Sequence, residues 1–299
     1  MISNSHWVLF NSAILLFLLV DLGFLHKKDK PETNAQAIVF SIFWIFISII
    51  FGVWIYFQFG ATSFFQYITS YKIEKFLSID NVMVFAIIFK SLNIPLKYQH
   101  RVLFVGIVSA IVFRGIMIFL GIELLQKFHW LLILFGFFLV FTGIKIFVSK
   151  EDDKSFSDTA LWKLCKKIVP YSEKFDGHKF FIKSQGKLVA SPLLFALILI
   201  EISDVIFAVD SLPAIFAITT DPFLIYTSNM LAILGLRSLY FVLANAVQKF
   251  KYLKHGLGIV LIIVGVKIVF GIHVHPAVTF SILGVIFLIS IMLSIRSKS

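Results

Sequence analysis

Residues 193–219 read LLFALILIEISDVIFAVDSLPAIFAIT. The run is about as long as a bilayer crossing requires of a helix. It is almost wholly apolar, yet it carries Glu201, Asp204 and Asp210. Carboxylates at membrane depth are costly and are kept where they face a cavity, a partner or an ion. This segment sets the fold class as helical and membrane-spanning, and it marks the first place to look for function.

The rest of the chain agrees. Of its 299 residues 59% are hydrophobic and only 14% charged, with 36 phenylalanines and a mean hydropathy of +0.96. A soluble domain is nearer half apolar and a quarter charged. An all-α polytopic membrane protein is expected. Cys165 stands alone, which excludes an intrachain disulfide framework and a cysteine-based zinc site.

Nine hydrophobic spans can be drawn, over roughly 7–25, 37–59, 73–90, 102–121, 130–148, 192–219, 223–246, 256–272 and 278–295. The first lacks a basic leader and a small-residue cleavage site, so it reads as a retained helix. With nine spans the termini lie on opposite sides. One face then collects twenty of the 27 basic residues, including all the lysines between 150 and 187; the other holds only Lys72, Lys75 and Lys127. That asymmetry places the N-terminus outside and the C-terminus in the cytoplasm. It also accounts for the net charge of +11 without a nucleic-acid partner.

The chain contains an internal repeat. EKFLSIDNVMVFAIIF (74–89) aligns with DVIFAVDSLPAIFAIT (204–219), setting Glu74 on Asp204 and Asp80 on Asp210. IVSAIVFRGIMIF (107–119) matches NMLAILGLRSLYF from Asn229 and, with a one-residue offset, sets Arg114 on Arg237. FTGIKIF (141–147) matches IVGVKIV (263–269) and sets Lys145 on Lys267. Each copy holds three spans, and the long 149–190 loop returns to its own side, so the copies enter the membrane from opposite faces. Binding sites of secondary transporters lie at such repeat interfaces. The expected organisation is two N-terminal helices (1–60), a first repeat (61–148), a cytoplasmic loop (149–190), a second repeat (191–272) and a final helix with its tail (273–299). Within the loop, Phe156, Leu161, Leu164, Cys165 and Ile168 recur at helical spacing, and 179–183 with 187–190 form a candidate hairpin.

Asp80 and Asp210 fall roughly 12 Å below the outer ends of their helices, an acidic pair with Glu74 toward the outside and Asp204 and Glu201 toward the cytoplasm. Asn81 and Ser211 follow the two aspartates and add neutral oxygens. An all-oxygen set suits magnesium, calcium or manganese rather than zinc or copper. Six residues on an ideal helix turn through about 240°, so either each acidic helix is unwound, as Pro213 would allow near Asp210, or its acids face different neighbours. Arg114 and Arg237 are counter-ions, either fixed or released when a cation arrives. Lys145 and Lys267 sit at helix ends and snorkel. Asp21 and Glu123 are candidates for an ion path. His273 and His275 make too sparse a pattern for a site. No nucleophile pairs with a base and no cofactor motif occurs, so neither an enzyme nor a bound cofactor is expected.

The same residues resemble a known family. LFLLVDLGFLHKK (16–28), FLSIDNVMVF (76–85), VLFVGIVSAIVFRG (102–115), IEISDVIFAVDSLPAIFAIT (200–219) and SNMLAILGLRSLYF (228–241) together look like the TerC family, in its Alx-like branch. The resemblance implies a protein of the bacterial inner membrane associated with manganese export. It ties metal handling to the intramembrane acids, here Glu74, Asp80, Glu201, Asp204 and Asp210. The expectation is a secondary exporter of divalent manganese, proton-coupled through a shared acidic pair. The alternative is a non-transporting membrane protein acting in tellurite resistance, redox modulation or membrane-protein assembly.

Overall fold

The computed structural model describes residues 3–20, 33–128, 130–148, 159–184, 187–243, 251–272 and 274–296, with the backbone alone at 20, 160, 184, 187, 210, 251–254 and 295. In chain order these form α1 (Asn4–Val20), α2 (Asn34–Ser91), α3 (Leu96–Lys127), α4 (Trp130–Val148), α5 (Ala160–Ile168), β1 (Phe181–Ser184), β2 (Lys187–Ala190), α6 (Pro192–Phe216), α7 (Pro222–Leu234), α8 (Leu236–Leu243), α9 (Lys251–Val269) and α10 (Pro276–Arg296). Among the described residues five helices are long and apolar enough to cross a membrane, or six when α7 and α8, bent by 43° at their junction, count as one span. The described parts of the first and the ninth helix are shorter apolar segments.

Exposure is inverted relative to a soluble protein. Leu9, Phe57, Phe141 and Leu288 lie on the outside, whereas Glu74, Arg114, Asp204 and Arg237 are buried. Apolar surface facing outward is the arrangement that hydrocarbon solvent favours, since lipid gives no reason to hide a leucine and every reason to hide an arginine.

Residues 58 long in one α-helix would stretch roughly 87 Å, nearly three hydrocarbon thicknesses. α2 does not do this. Its backbone leaves the helix at Gly60 (φ 86°, ψ 175°), a conformation essentially confined to glycine. Beyond that point the chain doubles back. Ser48 and Tyr67 would be about 28 Å apart on a straight helix, yet the Tyr67 hydroxyl donates to the Ser48 carbonyl at 3.0 Å. Phe51 and Tyr67 pack edge to face, as do Tyr56 and Phe64. The stretches 34–59 and 61–91 therefore lie side by side as a helical hairpin.

Helix starts follow local sequence. Thr33 and Gln36 form a capping box at α2; Ser191 and Asp221 cap α6 and α7, each followed by a proline at the first helical position. The core brings 61–91 of α2 against α6, α7 and α8, and α3 against α6 and α7. α4 packs chiefly on α9 through small residues. A Cβ on Gly143 would lie 2.7 Å from the Gly258 carbonyl oxygen, and one on Gly265 would lie 2.6 Å from that of Gly136. These helices run antiparallel, with backbones too close to admit a side chain.

The loop folds as anticipated in outline. β1 and β2 form an antiparallel hairpin pairing Phe181 with Ala190, and α5 precedes it. The buried stripe of α5 differs from the periodicity in the sequence: Trp162 and Cys165 are buried, while Leu164 and Ile168 are exposed. The reason is the docking partner, since Trp162 packs edge-on against Phe195 of α6 and Tyr171 stacks on the same ring. Burial pushes the Cys165 thiol up from its ordinary value.

Candidate ion-binding site

Both acidic helices are unbroken where they carry their acids. α2 departs from helical geometry only at Gly60, and α6 continues through Pro213 to Phe216. The acids of one helix therefore face different neighbours. Glu74 and Asn81 are seven residues apart, which returns to nearly the same face of α2; Asp80 points about 100° away from Asn81 and is half-buried.

Arg114, from the middle of α3, joins α2 to α6. It is 1% exposed. One terminal nitrogen donates to Glu74 Oε1 and, at 3.0 Å, to Asn229 Oδ1. The other reaches Asp204 Oδ1 at 2.8 Å, and Nε reaches Asp204 Oδ2 at 3.1 Å. The guanidinium thus grips Asp204 with two parallel bonds, the geometry that lysine cannot supply. Asn81 Nδ2 adds a third donor to Asp204 at 3.1 Å, and Asn229 Nδ2 stands 3.5 Å from Glu74 Oε2. Glu74, Asn81 and Asn229 are, like Arg114, 1% exposed or less, and Asp204 is 4% exposed. A guanidinium shared by two carboxylates and the Asn229 amide, with Asn81 donating to Asp204 beside it, is how a low-dielectric core tolerates charge.

A second acid lies beside this network. Glu201, three residues before Asp204, accepts from Ser109 Oγ of α3 at 2.7 Å. Its Oε2 and the Oδ1 of Asn81 are buried without a hydrogen-bond partner among the described residues. Glu201 and Asp204 line a cavity between α3, α6 and the α7–α8 junction, together with Gly106 and the buried Arg237. Unsatisfied oxygens of carboxylate and amide type are acceptors only, suited to a hard cation or to water. Among the described residues no group of three or more His, Cys, Asp or Glu is arranged to hold a metal ion.

The remaining candidates are placed as follows. Asp210 is positioned on α6 by its backbone alone, and Ser211 beside it is buried. Asp21 and His273 lie outside the described residues. Glu123 is exposed and pairs with Lys127 at 3.6 Å one turn on, a contact worth about 0–1 kcal/mol and remote in character from the buried network. Two residues of the network carried no signal that singled them out in the sequence. Ser109 is one serine among many, and Asn229 closes a polar triplet with Thr227 and Ser228 in which nothing marks the amide out. Lys75, next to Glu74, turns away and donates to the Ala232 carbonyl at 3.1 Å. That carbonyl lies just before the break at Gly235, so the lysine answers an acceptor that the bent helix leaves exposed.

A bundle with lipid-facing apolar walls and a buried network of charges defines an integral, multi-pass membrane protein. The chain belongs to the integral membrane protein TerC family, which it matches over residues 59–299. It is 46% identical over 280 residues to an uncharacterised membrane protein of Myxococcus xanthus, STKORF319, covering 93% of this chain and 88% of that one. It is 43% identical over 270 residues to a Photorhabdus laumondii protein named "Putative membrane-bound redox modulator Alx", covering 87% and 84%. The Escherichia coli protein of the same name is 39% identical over 295 residues, covering 96% and 92%. No solved structure matches the chain.

Proposed function

We propose that this protein is a secondary transporter, not an enzyme, that exports divalent manganese across the bacterial inner membrane and carries no resident cofactor. The observation that carries the reading is Arg114, whose guanidinium binds Glu74 of the first copy and Asp204 of the second at once. An arginine held between two carboxylates at a repeat interface is a counter-ion that a divalent cation can replace. The two acids neutralise the ion's charge, and Asn81 and Glu201 bring the unsatisfied oxygens that would complete its shell. Asp80 and Asp210 extend the acidic set along the same helices. Arg237, lining the cavity beside Glu201 and Asp204, is the second counter-ion.

Two features support the nine-span, inverted arrangement, with the N-terminus outside and the C-terminus in the cytoplasm. The hairpin at Gly60 divides α2 into two stretches of spanning length. The α4–α9 contact is self-matching. Gly143 faces Gly258 and Gly136 faces Gly265, while the repeat sets Gly143 on Gly265 and Gly136 on Gly258. One contact is thus made twice with the partners exchanged, as an axis in the membrane plane requires. Redox modulation, the reading carried by the names of two relatives, would have a single thiol to use, and that thiol is buried in α5.

The test is manganese flux in proteoliposomes loaded with a manganese-quenched dye. Glu74→Gln and Asp204→Asn abolish uptake at normal expression, and Ser109→Ala leaves most of it. Undiminished flux in both acid variants would refute transport through this network.

A further inference from the structure

The short helix α5, ALWKLCKKI over Ala160–Ile168, divides into three sectors. An ideal helix turns about 100° per residue, so Trp162 and Cys165 share one side, and both are buried. That side is the docked one, since the Trp162 ring meets Phe195 of α6 at 5.3 Å between centroids. Leu164 and Ile168 point roughly 110° round from it and are 57% and 67% exposed. Lys163, Lys166 and Lys167 occupy the remaining side, roughly 120° from each of the others, and are exposed as well.

A helix lying between protein and water needs only two sectors, an apolar one inward and a polar one outward. The exposed leucine and isoleucine require a second apolar surrounding, and the position of α5 provides it. Phe195 stands in the first turn of α6, a helix of spanning length, and Tyr171 stacks on the same ring. α5 is thus held at the level where α6 leaves the membrane, with lipid beside it. Its charge fits that place too, because the helix carries three lysines and no acid.

We propose that α5 is an interfacial helix, its Leu164 and Ile168 set into the boundary between headgroups and acyl chains and its lysines attracted to an anionic leaflet. A two-sided apolar arc with a basic remainder is the pattern of a helix lying in the membrane plane, here shared between the bundle on one side and lipid on the other. Lys167 borders the lipid sector, about 60° from Leu164, so its stem can lie along apolar surface while the ammonium reaches a phosphate. Basic residues at this level strengthen binding to anionic lipid. A second copy of the chain is a poorer occupant. Two side chains offer far less than the roughly 800 Å² per partner that a stable interface buries. The surface shares no residue with the Arg114 network, so the proposal stands apart from the transport reading.

The experiment uses the full chain. Cys165→Ser removes its one cysteine, and a single new one is then introduced by Leu164→Cys, Ile168→Cys or, as control, Lys163→Cys. Each carries a bimane label, and the protein is reconstituted into vesicles of phosphatidylcholine with or without phosphatidylglycerol. Lipid bearing a nitroxide on its acyl chain quenches the labels at 164 and 168 several-fold more strongly than the label at 163, and iodide on both sides of the membrane does the reverse. Phosphatidylglycerol deepens the acyl-chain quenching, and Lys163→Gln, Lys166→Gln and Lys167→Gln together remove that dependence. If iodide reaches all three labels alike, the face is open to water and the proposal is overturned. If neither quencher reaches 164 and 168, protein covers them, which also refutes the lipid contact. Equal quenching with and without phosphatidylglycerol overturns the preference for an anionic leaflet. Two label positions on the lipid sector keep the test decisive should one variant fail to fold.

Discussion

Replacing Arg114 with methionine removes four hydrogen bonds and a cation that touches both Glu74 and Asp204. The two acids remain 1% and 4% exposed and cannot turn to water. Breaking a buried ion pair by deleting one partner costs about 3–5 kcal/mol, and here two carboxylates are stranded, so Arg114→Met belongs at the upper end. Glu74→Gln is milder, about 1–3 kcal/mol, because Arg114 keeps its forked grip on Asp204. The informative measurement is the double variant. Once Glu74 is neutral, removing Arg114 strands one charge fewer, so the combined loss falls short of the sum by about 1–3 kcal/mol. Arg114→Lys keeps the charge but not the fork, and it recovers only part of the loss. Unfolding by titrated SDS in mixed micelles, followed by tryptophan fluorescence, gives all four values on one scale. Strictly additive losses, or an Arg114→Met change below about 1 kcal/mol, would refute the claim that these residues form one buried electrostatic unit.

Gly143→Ala and Gly265→Ala each force a methyl group to within 2.7 Å of a carbonyl oxygen on the facing helix, and each lowers stability by about 1–3 kcal/mol in the same SDS titration. Gly60→Ala meets no atom within 4 Å, so its penalty is backbone strain alone, about 1–3 kcal/mol; an unchanged unfolding midpoint would remove the hairpin turn from that residue. Cys165, whose thiol burial pushes up, reacts with maleimide at pH 8 far more slowly in the folded protein than after denaturation. Its rate climbs with pH above the usual thiol range, and equal rates folded and unfolded would mean that α5 does not dock on Phe195.

The class of fold was legible because it rests on composition and segment length, which lipid dictates directly. The loop hairpin was legible for a similar reason: turn residues and alternation act locally. The inner geometry was not. A sequence shows which residues are charged but not which helix faces which, and the choice between unwound helices and divergent acids needed coordinates. The helix period already contained a hint. Asp80 and Asn81 are neighbours in sequence, but only Asn81 stands at a whole number of turns from Glu74, so an amide rather than a second acid joins Glu74 at the Arg114 centre. The end of the second span, drawn at 59, fell beside Gly60, but that this residue itself turns the chain is visible only where the backbone leaves the helix.

That substitution of an amide for an acid bears on how the site would work. With Glu74 and Asp204 facing Arg114, the centre holds two negative charges against one positive, and Asn81 adds a dipole without adding charge. Had Asp80 taken Asn81's place, three anions would surround one guanidinium, and the empty state would carry a larger penalty in a low-dielectric core. An amide keeps the resting network near balance while still offering an oxygen to an incoming cation. Asn81→Asp puts this to measurement. The variant shifts the resting network toward excess negative charge, lowers stability without metal by about 1–3 kcal/mol, and recovers part of that loss when manganese is added at millimolar concentration. A variant as stable as wild type in metal-free micelles, or one that manganese does not stabilise more than wild type, would show that the charge balance at Asp204 is not what this asparagine maintains.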